Sequence, residues 1–228
     1  MITGPRHKGW YSRGYIPHYD GGNMYQVITY RLVDSLPKSR INQLMAELQQ
    51  TESKDIKNER RKKIEKWLNA GHGCCILQNP TCARIVIEAW KYFDRVRYDL
   101  AAWVVMPNHV HVLAYFRDSW PIGKVVNSWK SYTARKINEI IKARGGGPIM
   151  SNKASSTRLW QRGYWDRYIR SEAHFNNTIG YIIKNPVMAG LVEKAQEWPF
   201  SNIETIQKGD GLKWRPPDKG HKSKKQYN

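Results

Sequence analysis

Residues Tyr98 to Phe116 read YDLAAWVVMPNHVHVLAYF. Two apolar runs, Tyr98 to Met106 and His109 to Phe116, are separated only by Pro107 and Asn108. A connection this short between strand-like runs predicts an antiparallel hairpin. Side chains alternate faces along a strand, so His109 and His111 point one way and Val110 and Val112 the other. Two imidazoles on one strand face can chelate a single metal ion, the bland alternative being two surface histidines on a half-exposed strand. A third ligand, usually oxygen, must then come from elsewhere in the chain. Two other chemistries built on alternating histidines fail on inspection. Position 113 is Leu where a third alternating His would stand, and the residues after His111 contain no Asp-His pair.

Working outward, Met24 to Leu32 is rich in β-branched and aromatic residues and predicts a first strand. Residues 35–70 are polar and helix-prone, with Ile41, Leu44, Met45 and Leu48 at helical spacing and a charged run from Lys54 to Lys66. Asn79-Pro80 reads as an N-cap followed by proline at the first helical position, opening a helix with Ile85, Val86, Ala89, Trp90 and Phe93 on one side. A further helix is expected from Ile122 to Lys142, then a loop over 145–158. After the aromatic stretch from Leu159 to Ile169, Ser171 can cap a last helix that Pro186 and Gly190 terminate. This order implies an α+β fold, an antiparallel sheet with helices packed on it. Three regions follow: a basic aromatic arm (1–23) read as unpacked, a single domain (24–203) and a basic, flexible tail (204–228).

The 228 residues carry 38 Lys and Arg against 19 Asp and Glu, a formal charge of +19. From Lys208 onward seven Lys or Arg face Asp210 and Asp218, a net of +5 that leaves most of the charge on the body. A folded body this positive is suited to a polyanion, and nucleic acid bound through its phosphates is the natural one. A hydrophobic fraction of 40%, with ten Trp and thirteen Tyr, excludes a wholly disordered chain. No apolar window approaches a membrane span, and the N-terminus lacks the apolar core of a signal peptide, so a soluble, cytoplasmic protein without a membrane partner is expected. Cys74, Cys75 and Cys82 form neither a disulfide framework nor a paired zinc motif, and are read as buried thiols.

On the Ser171 helix, Phe175, Ile179, Ile182 and Ile183 follow a buried stripe. Tyr181 lies about 200° around from Ile179, among Asn177, Thr178, Lys184 and Asn185, which is not where a core ring belongs. Asn185 stands one turn further on the same side and can offer an amide oxygen as the missing ligand, while Lys184 offers a cation for phosphate. A phenol ionises near pH 10 and is a weak nucleophile at neutral pH, so the phosphorus it attacks needs a divalent ion to activate it.

The runs AWVVMPNHVHVL from Ala102 to Leu113, SWKSYTA from Ser128, YWDRYIR from Tyr164 and YIIKNPVMAGLV from Tyr181, closed by WPFS from Trp198, resemble the REP-associated tyrosine transposases. These are single-tyrosine members of the HUH nuclease superfamily. RGYIPHYD from Arg13 and TYRL from Thr29 are similar to one branch of the group, and the resemblance covers roughly residues 9–203. It implies a ferredoxin-like α+β fold with His109 and His111 on the central sheet, Tyr181 as nucleophile and Asn185 as third ligand, holding Mg²⁺ or Mn²⁺. It further implies a bacterial, nucleoid-associated enzyme that nicks and rejoins single-stranded DNA beside hairpins through a 5′-phosphotyrosine, as a monomer or homodimer. The helical insertion around 50–70, the Gly-rich loop 145–148 and the basic tail exceed the family's minimal core.

Two other functions compete. A non-catalytic DNA-hairpin-binding protein would account for the charge and the aromatic arm. A rolling-circle initiator would often carry a second tyrosine on the helix, whereas Lys184 and Asn185 occupy the positions one turn after Tyr181. For DNA contacts the sequence nominates Arg13 and His18 in the arm, Trp129, Lys130 and Arg135 on one helix, Arg167 and Arg170 before the tyrosine helix, and Lys184 on it.

Overall fold

The computed structural model describes residues 9–12, 17–36, 39, 42, 56–143, 145 and 158–217. Arg13, the helix expected through Leu44, most of the Gly-rich loop and the chain beyond 217 lie outside the described residues. The strands are β1 (Gly9–Ser12), β2 (Pro17–Asp20), β3 (Met24–Arg31), β4 (Tyr98–Val105), β5 (His109–Phe116) and β6 (Trp165–Tyr168). The helices with full bounds are α1 (Ile56–Asn69), α2 (Pro80–Lys91), α3 (Ile122–Ala143), α4 (Glu172–Met188) and α5 (Ile203–Gln207). The expected hairpin is β4–β5, and it sits in a four-stranded sheet of order β4-β5-β3-β6. Every pairing in that sheet is antiparallel. The sequence β3-α2-β4-β5-α3-β6 on this strand order is the ferredoxin-like α+β arrangement expected above.

The period-2 alternation gives the sheet two buried faces. Ile28, Tyr30, Val110 and Val112 join Val86, Trp90, Val126 and Trp129 in one core, under α2 and α3. Tyr25, Leu113, Phe175 and Ile182 form a second core, under α4. His109 and His111 share the parity of Leu113 and so belong to the α4 face.

Local chemistry sets the helix starts. Asn79 accepts from Thr81 N with Pro80 at the first helical position, and Ser171 accepts from His174 N. Pro186, expected to end α4, instead lies inside it, and the helix runs on to Met188 with Ala189 as C-cap. Proline there removes the bond to the Ile182 carbonyl, while Ala189 N still reaches Asn185 O at 3.0 Å.

Three expectations are corrected by packing. The described part of the arm is packed: β1 and β2 pair antiparallel, and Asp166 on β6 takes His18 Nδ1 and, at 2.9 Å, Tyr19 N. The tail is docked as far as Arg215, whose guanidinium meets buried Asp99 at 3.0 Å while the Trp214 ring stacks 5.8 Å from Tyr25. Of the cysteines only Cys82 is buried; Cys74 is exposed and Cys75 half-buried. No helix among the described residues is long and apolar enough to cross a membrane.

Candidate active site

Across β3 and β5, Thr29 stands opposite His111 and Arg31 opposite His109. Cross-strand partners share a face, so all four side chains lie on the α4 side of the sheet. Asn108 fixes the first imidazole. Its Nδ2 donates to the carbonyls of Leu68 (3.2 Å) and His72 (2.9 Å), which sets the amide's orientation. Its Oδ1 is thereby turned to His109 Nδ1 at 2.7 Å. An amide oxygen only accepts, so the proton sits on Nδ1 and the lone pair on Nε2. His109 Nε2 is buried and has no hydrogen-bond partner among the described residues. Burial, then the neighbouring His111 and Arg31, hold the His109 pKa well below the ordinary imidazole value, so the ring is neutral and able to ligate. His111 Nδ1 meets Thr29 Oγ1 at 2.8 Å.

The tyrosine helix brings its polar column onto these rings. The His109 and His111 ring centroids are 4.9 Å apart at 88°, and Tyr181 lies 5.5 Å from His111 at 78°. Asn185 is fully buried, its Nδ2 3.4 Å from Tyr181 O, and its Oδ1 has no hydrogen-bond partner among the described residues. Tyr181 is half-buried and packs against the second core, so it is not apart from the buried stripe as the helical wheel suggested. The buried side of α4 is centred on Phe175, Thr178, Ile182 and Asn185. A wheel of apolar residues misses Thr178 and Asn185, and so points the helix too far from the histidines.

These donors fit a divalent cation. Two imidazoles and a buried amide oxygen suit Mg²⁺ or Mn²⁺ less strongly than a carboxylate set would, and no group of three His, Cys, Asp or Glu able to hold a metal occurs among the described residues. Asn185 Oδ1 is the buried acceptor beside Tyr181 that could serve as a third ligand. Asn108 and Thr29, which hydrogen-bond the two imidazoles, were missed by sequence patterning; the available signal was Asn108's place directly before His109.

The other nominated residues divide. Arg167, opposite Val27, is exposed on the histidine face at the edge strand. Arg170 is exposed with its guanidinium 4.8 Å from the Tyr168 ring, and Lys184 is exposed on α4. Arg135 is exposed on α3, which covers the other face, so it is not brought to the histidines. Three nominations are corrected. His18 is buried, stacked 4.5 Å from Tyr164 and tied to Asp166, and serves to dock the arm. Trp129 is buried in the first core, donating to Tyr98 OH at 2.8 Å. Lys130 donates to the carbonyls of Gln161 (2.6 Å) and Gly163 (2.7 Å), and burial lowers its pKa to about 8. Lys130→Ala is accordingly expected to leave the salt slope of DNA binding unchanged while lowering stability by about 1–3 kcal/mol, read by binding titrations at several salt concentrations and by urea unfolding.

Known proteins are similar to this chain in sequence and fold. Residues 77–185, which carry both the histidine strand and Tyr181, match the family model described as "Transposase IS200 like". A REP-associated tyrosine transposase of Escherichia coli K12 is 27% identical over 106 residues, 46% of this chain and 54% of the relative. A Haemophilus influenzae protein of the same description is 24% identical over 118 residues, 50% of this chain and 63% of the relative. The chain thus spans between about half and two thirds of the length of these curated relatives. A solved REP-associated tyrosine transposase, bound to a REP hairpin, superposes with a TM-score of 0.51 at 16% identity, covering 96% of this chain and 98% of that one. The fold is that of a REP-associated tyrosine transposase. Residues 77–185, a little under half of the chain, are similar to the IS200-like transposases.

Proposed function

We propose that this chain is a metal-dependent transposase that nicks and rejoins single-stranded DNA beside hairpins, with Tyr181 as nucleophile and His109, His111 and Asn185 as metal ligands. The observation that carries the reading is the Tyr181 ring lying 5.5 Å from His111, within one chain. Binding of hairpin DNA by the solved relative supports the substrate class. Tyr181 Oη would attack the scissile phosphorus, forming an O–P bond as the bond to the sugar O3′ breaks; the phenol proton passes to solvent and the departing oxygen leaves as a 3′-hydroxyl. The product is a 5′-phosphotyrosine. It conserves the energy of the phosphodiester, so a second 3′-hydroxyl can attack it, restore the strand and release the phenol without ATP. A bound Mg²⁺ or Mn²⁺ would supply Lewis-acid polarisation of the scissile phosphate. Asn108 turns the lone pair of His109 Nε2 toward that position, and Thr29 holds the His111 ring through Nδ1. Arg167, Arg170 and Lys184 would neutralise phosphates of the strand. Because one chain supplies phenol, imidazoles and amide together, a monomer is sufficient for the chemistry.

Incubating the full chain with hairpin-containing single-stranded DNA is expected to give a covalent adduct with Mn²⁺ or Mg²⁺ and none with EDTA. Binding without an adduct under any divalent ion would instead establish a non-catalytic hairpin binder. Asn108→Ala is expected to weaken Mn²⁺ binding about 10–100-fold, read by calorimetry, because the His109 tautomer is no longer fixed.

A further inference from the structure

Arg31 ends β3 beside His109, its cross-strand partner, and is only 8% exposed. A guanidinium carries five N–H donors, and burying it is costly unless an anion or several acceptors meet it. Here one neutral acceptor does so: Nη1 donates to Ser35 Oγ at 3.0 Å, and that hydroxyl in turn donates to Leu32 O. No carboxylate forms an ion pair with Arg31 among the described residues. Asp34, the acidic group whose field Arg31 feels, commits Oδ2 to Cys74 N at 2.7 Å. Burial lowers the Arg31 pKa to about 10, which still leaves the group charged at neutral pH. The fold therefore keeps, on the histidine face, a buried guanidinium with one hydrogen-bond partner and no ion pair among the described residues, next to where a phosphate must sit if the nicking reading holds.

We propose that Arg31 is a phosphate-binding catalytic residue, its guanidinium engaging a non-bridging oxygen of the scissile phosphodiester during attack by Tyr181. The inference rests on the nicking reading and adds to it a residue from outside the histidine and tyrosine motifs. A planar fork matches two phosphate oxygens, and its charge opposes the negative charge that accumulates as the phosphorus takes on the attacking oxygen. The purely structural alternative is that Arg31 ties the end of β3 to the turn at Ser35.

The test uses the full chain and a hairpin-bearing oligonucleotide whose nicked bond has been mapped with the wild type. One version carries the natural phosphate at that bond and another a neutral methylphosphonate. Without divalent ion, the wild type is expected to bind the methylphosphonate at least roughly tenfold more weakly, whereas Arg31→Gln binds both within twofold. With Mn²⁺, Arg31→Gln is expected to form adduct on the order of 10²-fold more slowly, with part of the rate restored in Arg31→Lys. Ser35→Ala removes the structural partner and keeps the charge, so it is expected to retain most of the rate. An equal methylphosphonate penalty in wild type and Arg31→Gln overturns the assignment, as does Ser35→Ala reproducing the Arg31→Gln defect. A wild type that forms no adduct on any strand overturns the nicking reading itself, and this inference with it.

Discussion

Tyr181→Phe is expected to abolish the covalent protein–DNA adduct, slowing it by on the order of 10⁴-fold or more, while hairpin binding stays within about twofold. The substitution removes one oxygen. The phenyl ring retains the edge contact with His111 and its packing against the second core, so α4 and its Asn185 have no reason to move. No other tyrosine can substitute from the same helix, because the positions one turn later are Lys184 and Asn185. Denaturing gels resolve the adduct and fluorescence anisotropy the binding. An adduct that persists on the Phe variant would mean that another side chain attacks the phosphorus.

The second large effect falls on stability. Trp129→Ala is expected to cost about 3–5 kcal/mol and lower Tm by on the order of 10 °C. The ring is 2% exposed and meets Tyr98 at 5.0 Å, Trp90 at 6.3 Å and Phe116 at 6.1 Å. Its Nε1 donates to Tyr98 OH, which donates onward to Trp90 O, so truncation also leaves the Tyr98 oxygen without its donor inside a buried network. Urea unfolding measures the loss. A variant that unfolds at the wild-type midpoint but binds DNA poorly would put the ring on the surface, as its nomination for DNA contact requires.

These two residues mark where sequence is informative. Period-2 alternation in Tyr98 to Phe116 located the hairpin and gave the histidines a common face, and the caps at Asn79 and Ser171 located two helices, because each of these signals is local. Trp129 and Lys130, nominated for DNA contact, defeated the reading for a shared reason: their partners Tyr98, Gln161 and Gly163 lie about thirty residues away. His18 is the extreme case, its partner Asp166 being 148 positions distant. Tyr181 was singled out from its polar neighbours and lies beside His111, yet the wheel misplaced the helix, because Thr178 and Asn185 are polar residues on its buried side. Asn108 was legible only as a turn residue. Its three hydrogen bonds, two of them to carbonyls at the end of α1 and just beyond it, tie the helical insertion to the histidine strand. No pattern of spacing carries that information.

The central claim is that two imidazoles, an amide oxygen and a phenol share one cation-binding position. Anomalous diffraction at the manganese edge from crystals of the full chain grown with Mn²⁺ tests it most directly. The account predicts one strong peak within ligand distance of His109 Nε2, His111 Nε2 and Asn185 Oδ1, beside the Tyr181 ring, and its loss in His109→Ala. A fully occupied peak elsewhere in the molecule, with these four side chains left uncoordinated, would contradict it.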